Sequence, residues 1–403
     1  MAQWETKTLA KAAQLRPPVS EARRKLAQDA SVSFVPMEDL GIDEKFLRPK
    51  QTRPLRDVAG SYTYFADGDV LLAKITPCFE NGKLGIAGGL TNGVGFGSSE
   101  YVVLRPGADL SSAWLYYYLS REAFRFEGTG QMAGAVGHRR VAKDFIENYP
   151  IPVPPIGEQQ RIVGILDEAF AAIATARANT ERNLRNAREL IEAATESLFS
   201  AATQDQTGDW TLAELCDLIV DCEHKTAPTQ DKGIPSIRTP NIGKGRLILD
   251  DVNRVSDETY GEWTRRAEPK AGDLILAREA PAGNVAVIPD GLKVCLGQRT
   301  VLLRPDRSVF EPAYLAHLLL QRDSQGRLLA GQRGATVQHV NVQDIRAFSV
   351  SGVPSLVVQQ GVVQKIDTLL EAGDALESHF QHKLAALDAL KQSLLQQAFT
   401  GAL

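Results

Sequence analysis

The sequence predicts an α+β fold in which two globular domains of mixed helices and strands alternate with two long α-helices. Apolar residues recur at helical spacing over 162–198 and again over 366–394, and no proline interrupts either run. The two runs coincide when one is shifted by 200 positions, which places Asp167 on Asp367 and Phe199 on Phe399. We therefore expect an internal duplication with an offset of about 200 residues, and an antiparallel coiled coil formed by the two helices.

The first long helix is predicted to begin near Gly157. The four residues that hold the preceding backbone extended and lack N–H donors are Pro150, Pro152, Pro154 and Pro155. At about 1.5 Å per residue, roughly 40 residues form a rod about 60 Å long.

A coiled-coil seam is predicted on this helix, because five apolar residues are separated by alternating steps of three and four. They are Leu184, Ala187, Ile191, Ala194 and Leu198. Such a seam needs a partner. The second helix, which follows Pro354, can supply it within the same chain, and an intermolecular coiled-coil dimer is the alternative.

The two long helices, with the prolines before each of them, divide the chain into four parts. The first globular domain is expected over 1–150 and the first long-helix region over 151–205. The second globular domain is expected over 206–348 and the second long-helix region over 349–403.

Both globular domains contain the same series of motifs. A Gly-Asp turn leads into an apolar strand that ends on a cation, over 68–74 and 272–278. Flanking strands are predicted over 84–87, 101–104, 284–288 and 300–303. The motif Leu-Arg-Pro follows at 104–106 and 303–305. After it, a short helix is predicted over 113–121 and 313–322. A glycine-rich loop then occupies 128–140 and 331–339. The run Tyr116-Tyr117-Tyr118 is predicted to lie in the core, although base stacking is a second reading.

The composition is that of a soluble globular protein, with 43% hydrophobic and 23% charged residues. No apolar run approaches the roughly 20 residues of a membrane span, so we expect no membrane contact and a cytoplasmic location. The four cysteines are scattered, which predicts neither a disulfide framework nor a zinc site. The net charge is −4, so any DNA-binding surface must be a local patch.

The first helix region opens with Pro-Pro-x-x-Glu-Gln-Gln at 154–160, and the chain ends with Leu-Lys-x-x-Leu-Leu-x-x-Ala-Phe-x-Gly-x-Leu at 390–403. With these motifs and the Gly-Asp strand in both halves, the chain resembles, over its full length, the specificity subunit of type I restriction-modification systems. The second helix region departs from the pattern: Val353-Pro354-Ser355 stands in place of Pro-Pro, and Val358 occupies the position of Glu158.

This resemblance implies two target-recognition domains, each reading one half of a bipartite, asymmetric site in double-stranded DNA. It also implies that the helix pair sets the spacer and docks methyltransferase subunits, expected to be two, to which restriction subunits add. The chain is then non-catalytic and holds no metal or cofactor. S-adenosylmethionine and ATP with magnesium are expected on the partner subunits. The candidate partner-docking residues are Glu158, Gln159, Gln160, Gln359 and Gln360.

Polar residues at strand ends and loops are the DNA-contact candidates, with ordinary polar surface as the alternative. Arginine suits guanine and phosphate, whereas glutamine and asparagine suit adenine. In the first domain the candidates are Lys74, Thr76, Asn81, Lys83, His138, Arg139, Arg140 and Lys143. In the second domain they are Arg238, Asn241, Arg278, Asn284, Gln298, Arg299, Gln338, His339 and Asn341.

Two other functions compete with DNA reading. A coiled-coil protein–protein scaffold fits the acidic long helices. A lone methyltransferase is disfavoured, because the F-x-G-x-G match at 126–130 follows a helix and Asn148-Tyr149-Pro150 does not complete the catalytic motif. A lone nuclease is disfavoured, because Leu72 stands where the Glu of a Glu-x-Lys motif should be. No P-loop occurs, so ATP-driven translocation is expected on another chain.

Overall fold

The computed structural model describes residues 4–135, 137–330 and 339–403. The chain forms two compact units. The first unit comprises residues up to Arg182 together with Phe380–Leu403, and the second comprises Asn183–His379. Mixed α and β structure is present in both, so the predicted α+β class is confirmed.

The first unit contains twelve strands and six short helices among its described residues, and it shares two long helices with the second unit. The strands are β1 Glu5–Thr8, β2 Ala13–Leu15, β3 Ser31–Val35, β4 Gln51–Pro54, β5 Thr63–Ala66, β6 Val70–Ala73, β7 Leu84–Ile86, β8 Val94–Gly97, β9 Tyr101–Pro106, β10 Met132–Ala133, β11 Arg140–Val141 and β12 Pro150–Val153. The short helices are α1 Leu9–Ala12, α2 Ser20–Lys25, α3 Leu55–Val58, α4 Ser112–Leu119, α5 Glu122–Gly130 and α6 Lys143–Asn148. The long helix α7, Ile156–Thr203, follows β12.

Two four-stranded sheets form the centre of the first unit. The central sheet has the order β2-β9-β6-β7 and is antiparallel, whereas the second sheet, β4-β3-β8-β5, includes the parallel pair β3–β8. One face of the central sheet, including Leu72, packs on α4 and the long helices. The other face, including Leu71, packs on the second sheet. Helices α2 and α3 cover the far side of that second sheet.

The second unit repeats this arrangement with its own elements. Its strands are β13 Asp209–Thr211, β14 Cys216–Asp221, β15 Ile234–Ile237, β16 Arg254–Val255, β17 Leu274–Ala277, β18 Val285–Val287, β19 Cys295–Leu296, β20 Thr300–Pro305 and β21 Ser349–Ser351. Its helices are α8 Leu212–Leu215, α9 Asp257–Trp263, α10 Pro312–Leu320, α11 Arg322–Leu329, α12 Val342–Arg346 and the long α13, Leu356–Thr400. The central sheet β14-β20-β17-β18 is antiparallel, and the smaller sheet β16-β15-β19 again includes one parallel pair, β15–β19.

A buried ion pair explains why the Gly-Asp and Leu-Arg-Pro motifs occur together. Asp69 accepts hydrogen bonds from Arg105 Nε at 2.7 Å and from Nη2 at 2.8 Å. In the second unit Asp273 accepts the equivalent bonds from Arg304 at 2.8 and 2.7 Å. Gly68 precedes Asp69 in a left-handed turn with φ +88°, which favours glycine.

In each unit the two long helices also contact each other. In the first unit Arg177 of α7 pairs with Asp388 of α13, and Arg161 donates to the Leu403 carbonyl at 2.7 Å. In the second unit Arg188 pairs with Glu377. Arg161, near the start of α7, thus contacts the residue at position 403, whereas Arg177, further along α7, contacts the earlier position 388. The two helix segments of the first unit are therefore antiparallel.

Buried glutamines attach each long helix to its unit. The Gln159 side chain is fully buried; its Oε1 accepts from Ser111 N at 2.9 Å, and its Nε2 donates to the Asp109 and Pro154 carbonyls at 2.7 Å each. Gln359 makes the matching bonds with Glu311 N, the Val309 carbonyl and the Pro354 carbonyl, each at 2.8 Å. The starts of α7 and α13 are therefore held by equivalent networks.

The element predictions that fall on described residues agree with the structure to within a few residues, whereas the glycine-rich loop predicted over 331–339 lies, except for His339, outside the described residues. The helix expected near Gly157 begins at Ile156, and the strands expected over 84–87 and 300–303 are β7 and β20. The tyrosine run at 116–118 is buried, as predicted. The F-x-G-x-G match lies in helix α5, not in a loop after a strand. No helix in the described parts of the chain combines the length and the apolar character that a membrane crossing requires.

We predict that Gln159→Ala lowers the free energy of unfolding by about 2–4 kcal/mol, because it removes three hydrogen bonds from a fully buried side chain to the backbone of Ser111, Asp109 and Pro154. Urea denaturation of the purified chain measures the change. Gln160→Ala is the matched control, since Gln160 is exposed, and it should alter the value by less than about 0.5 kcal/mol. Equal effects of the two substitutions would contradict the assigned role of Gln159.

Candidate nucleic-acid interface

The structure brings together two segments of the first unit that the sequence nominated separately. The turn after β6 meets the end of the glycine-rich loop: Val141 N donates to the Lys74 carbonyl at 2.9 Å, and Thr76 N donates to the Arg139 carbonyl at 2.9 Å. Thr76 Oγ1 lies 3.2 Å from the same carbonyl. Lys74, Thr76, Arg139 and Arg140 therefore form one cluster at the end of the central sheet.

Two glutamates hold the arginines of this cluster. Arg140 donates to both carboxylate oxygens of Glu100, from Nε at 2.9 Å and from Nη2 at 2.7 Å. The hydrogen bonds from Arg140 lower the pKa of Glu100. Arg139 donates to Glu80 at 3.0 Å. Both arginine side chains remain more than 40% exposed, so they keep donors available to a ligand.

Lys74 is more enclosed than these arginines. Its ammonium donates to the Ser99 carbonyl at 3.0 Å and lies 3.9 Å from Glu100. Burial lowers the pKa of Lys74, against the opposing effect of Glu100. Lys74 therefore contributes positive charge at the base of the cluster.

The other candidates of the first unit lie beside this cluster or are engaged elsewhere. His138 and Asn81 are exposed, and Lys143 pairs with Glu147 at 3.2 Å on α6. Lys83 donates to the Met37 carbonyl at 2.7 Å, which ties the turn to the segment after β3.

The second unit has an ion-pair network at the matching place. Arg278 is 8% exposed and donates from Nη1 to both oxygens of Asp221, at 2.9 and 2.8 Å, and from Nε to the Val340 carbonyl at 3.0 Å. Its Nη2 lies 2.8 Å from His339 Nε2. Nearly all its donors are used within the protein, which favours a positioning role for Arg278.

Glu279 links the exposed residues of this network. It pairs with Arg299 at 2.8 Å and lies 3.3 Å from His339 Nδ1. Arg299 is 61% exposed and His339 38% exposed. Both side chains are thus held at one end yet remain open to a ligand.

The remaining candidates of the second unit separate into exposed and internal groups. Arg238 and Asn341 are exposed, and Asn341 Nδ2 donates to Asp344 at 3.2 Å. Asn241 and Asn284 serve the fold: Asn241 Nδ2 donates to the Ile248 carbonyl at 3.2 Å, and Asn284 Nδ2 donates to the Ile242 carbonyl at 2.9 Å. Gln298 donates to the His224 carbonyl at 3.2 Å. Gln338 lies outside the described residues.

The two clusters share one backbone framework. In the first unit Lys74 N donates to the Glu100 carbonyl at 3.0 Å, and the Lys74 carbonyl accepts from Val141. In the second unit Arg278 N donates to the Arg299 carbonyl at 2.8 Å, and the Arg278 carbonyl accepts from Val340 N at 2.8 Å. Lys74 and Glu100 of the first framework correspond to Arg278 and Arg299 of the second, whereas the third position is a valine in both units, Val141 and Val340.

The candidate docking residues divide by exposure. Glu158 is half-buried and bonded to Arg161, and Gln160 and Gln360 are exposed. Gln159 and Gln359 are fully buried in the networks described above, so a partner could reach them only after those hydrogen bonds opened.

Sequence reasoning missed the acidic members of both clusters and one arginine. Arg16 adopts φ 54° and lines, with Lys74 and Lys143, a cavity of about 210 Å³. The missed acidic residues are Glu80, Glu100, Asp221 and Glu279. Each of these carboxylates pairs with a cation that is distant in the sequence, so the spacing of residues along the chain does not predict the contact.

Known proteins share both the sequence pattern and the fold. A family model described as the type I restriction modification DNA specificity domain matches residues 57–182. The type I restriction enzyme EcoAI specificity subunit of Escherichia coli is 38% identical over 277 residues, covering 68% of this chain and 45% of that protein. The EcoEI specificity subunit of Escherichia coli is 31% identical over 276 residues, covering 68% and 44%. The chain spans less than half the length of these two curated relatives.

Solved structures extend the likeness of the fold to nearly the whole chain. The HsdS subunit from Thermoanaerobacter tengcongensis covers 99% of this chain and 97% of its own, with a TM-score of 0.59 and 19% identity. A chain from the structure described as "Structural basis underlying complex assembly and conformational transition of the type I R-M system" covers 100% and 99%, with a TM-score of 0.78 and 18% identity.

The chain belongs to the type I restriction-modification specificity-subunit family. The sequence matches identify this family, and the structural matches add that the fold is shared.

We predict that Arg278→Ala lowers the free energy of unfolding by about 3 kcal/mol, because it leaves Asp221 partly buried without its partner. Arg299→Ala is the matched control on the same network. It removes an exposed ion pair and should cost less than about 1 kcal/mol. Urea denaturation monitored on the second unit distinguishes the two, and a negligible loss for Arg278→Ala would contradict its internal role.

Proposed function

We propose that this chain is the DNA sequence-specificity subunit of a type I restriction-modification complex, in which each unit reads one half of a bipartite, asymmetric site. The proposal rests on the backbone framework that the two units share, because it holds Lys74 and Glu100 in the first unit but Arg278 and Arg299 in the second. Two readers built alike but exposing Arg139 and Arg140 in one and Arg299 and His339 in the other would recognise different half-sites.

The exposed ends of each cluster are suited to base edges and phosphates. Arg140, fixed in orientation by Glu100, can offer its remaining donors to guanine in the major groove. Arg139 and His138 lie beside it on the same loop. In the second unit Arg299, His339 and Asn341 have the corresponding role, while Arg278 and Asp221 hold them in place.

We further propose that α7 and α13 pair as an antiparallel coiled coil, produced by an internal duplication, and set the spacer between the half-sites. The ion pairs Arg177–Asp388 and Arg188–Glu377 support this pairing. Under this proposal the pairing is intramolecular, not a dimer contact between two chains.

Docking of two methyltransferase subunits is supported by exposed apolar residues at matching positions of the two helices. Leu190 is 70% exposed and Leu390 is 47% exposed, and they are 200 positions apart. Each leucine would bury its apolar side chain against a docked subunit. Glu158, Gln160 and Gln360 would add polar contacts, and restriction subunits would join through the methyltransferase.

The chain itself is proposed to be non-catalytic. S-adenosylmethionine and ATP with magnesium would be bound by the partner subunits. A coiled-coil scaffold that does not read DNA is the competing function, and it predicts that changes in the two clusters leave DNA methylation unaltered.

Sequencing of methylated adenine in the host genome tests the proposal. Deletion of the gene should abolish methylation at one bipartite motif. Replacing 206–348 with the corresponding segment of another family member should change one half of that motif and leave the other half and the spacer intact.

A matched replacement of 1–150 should change the opposite half of the motif. If both replacements alter the same half, or if neither alters the motif while methylation persists, the assignment of one half-site to each unit is wrong.

A further inference from the structure

The outermost layer of the first unit carries a concentration of cations outside the cluster described above. Arg23, Arg24 and Lys25 form the last turn of α2, and Arg53 and Arg56 lie on the adjoining β4–α3 segment. We call these five residues the basic lobe. Helices α2 and α3 lie on the second sheet, on the side opposite the central sheet and the long helices.

Backbone contacts join the two parts of the basic lobe into one surface. Arg23 Nη2 donates to the Ala59 carbonyl, after α3, at 3.0 Å. Arg56 N donates to the Gln28 carbonyl, after α2, at 2.8 Å. Under them, Ala22 and Val58 share one buried core. The cations therefore belong to a fixed platform.

Few acidic groups neutralise this platform. Glu21 is engaged by Arg105 at 2.6 Å, and this bond lowers the pKa of Glu21. Asp57 lies 3.6 Å from Arg56, and Asp29 is exposed. Within the described part of the chain, Arg24 and Lys25 form no ion pair closer than 4 Å. Their charges are available to an anionic partner.

Aromatic rings accompany the cations. The Arg53 guanidinium lies 3.6 Å from the centre of the Phe34 ring and 5.9 Å from that of Tyr62. Stacking on Phe34 restricts Arg53 to one orientation. Tyr62 is 37% exposed, so its ring is also accessible at this surface.

The equivalent segment of the second unit has the opposite charge. There β16 and α9 follow each other as β4 and α3 do, but α9 contains Asp257, Glu258 and Glu262. Nearby cations are paired with these acids: Arg265 lies 3.7 Å from Glu262, and Lys293 lies 3.8 Å from Asp257. Arg254, on β16, donates to the Gly233 carbonyl at 2.9 Å and is outnumbered by the three acids of α9, so the second segment is net negative where the first is net positive.

The basic lobe is close enough to the first cluster to contact the same duplex. Arg16 lines the cavity next to Lys74, and Arg23 lies seven positions further along the chain. Extended chain spans about 3.5 Å per residue, so the separation is at most about 25 Å. This is roughly seven base pairs of B-DNA at about 3.4 Å each.

We propose that the basic lobe binds the phosphates of DNA flanking the first half-site, so that the first unit supplies most of the sequence-independent affinity while the second unit contributes mainly base reading. The inference rests on the proposed function. It identifies a ligand, the DNA backbone, for a surface distinct from the reading clusters, and it predicts unequal duties for two units built alike.

The test is the salt dependence of DNA binding by the complex with its methyltransferase subunits. The probe is a duplex carrying the methylated motif, and affinity is measured by fluorescence anisotropy at several KCl concentrations. Arg24→Gln with Lys25→Gln should reduce the slope of log K against log salt by about 2, since each phosphate contact contributes about 0.9. The methylated motif should stay the same, because phosphates carry no base identity.

Arg265→Gln with Lys270→Gln is the matched control, because it removes two exposed cations from the acidic segment of the second unit. It should leave the slope within about 0.5 of the wild-type value. A wild-type slope in the α2 variant, or an equal reduction in both variants, overturns the proposed division of duties. If the wild-type complex itself lacks salt-dependent affinity, the proposed function fails; if the wild type binds and only the basic-lobe prediction fails, the proposed function stands.

Discussion

The register of β6 in the first unit and of β17 in the second sets where the strand-end residues of each candidate cluster lie. Strands β6 and β17 are buried on both faces, so a slip by one residue would exchange the side chains between two different cores. At one end of β6 the Asp69–Arg105 pair fixes this register; at the other end the backbone of Lys74 meets Glu100. In the second unit the Asp273–Arg304 pair likewise lies at one end of β17, and at the other end the backbone of Arg278 meets Arg299. The cluster is thus positioned by an ion pair at the opposite end of the strand.

This arrangement separates what must be constant from what can vary. The Asp–Arg pair, the buried strand and the buried glutamine at the start of each long helix occur in both units with nearly the same distances. The side chains at the strand ends differ, and so does the charge of the outer layer. A protein that reads two unlike half-sites needs this combination, because its frame must be rigid while its contact residues change.

The sequence was informative wherever a short-range rule governs the structure. Because prolines cannot continue a helix backwards, the prolines over 150–155 predict where α7 starts. The spacing of the apolar residues, together with the offset of 200 positions, predicts both long helices. Glycine-aspartate turns located β6 and β17. The second sheet was largely missed, because β8 is the short run Val94-Gly95-Phe96-Gly97 and its parallel partner β3 lies about 60 residues earlier. Likewise, the carboxylates Glu100 and Asp221 act through contacts that span many residues, which periodicity cannot indicate. The offset of 200 positions pairs Gln159 with Gln359, but only the packing of the folded chain shows that both side chains are fully buried.

Under the proposed function, the paired long helices fix the distance between two independent readers. The most direct test inserts seven residues of continuous heptad pattern into both helices, after Arg182 in α7 and after His379 in α13, and determines the methylated motif by sequencing. Seven helical residues add about 10.5 Å, or about three base pairs of B-DNA. The account predicts that both half-sites are unchanged and that the spacer grows by about three base pairs. A methylated motif with the original spacer would contradict it.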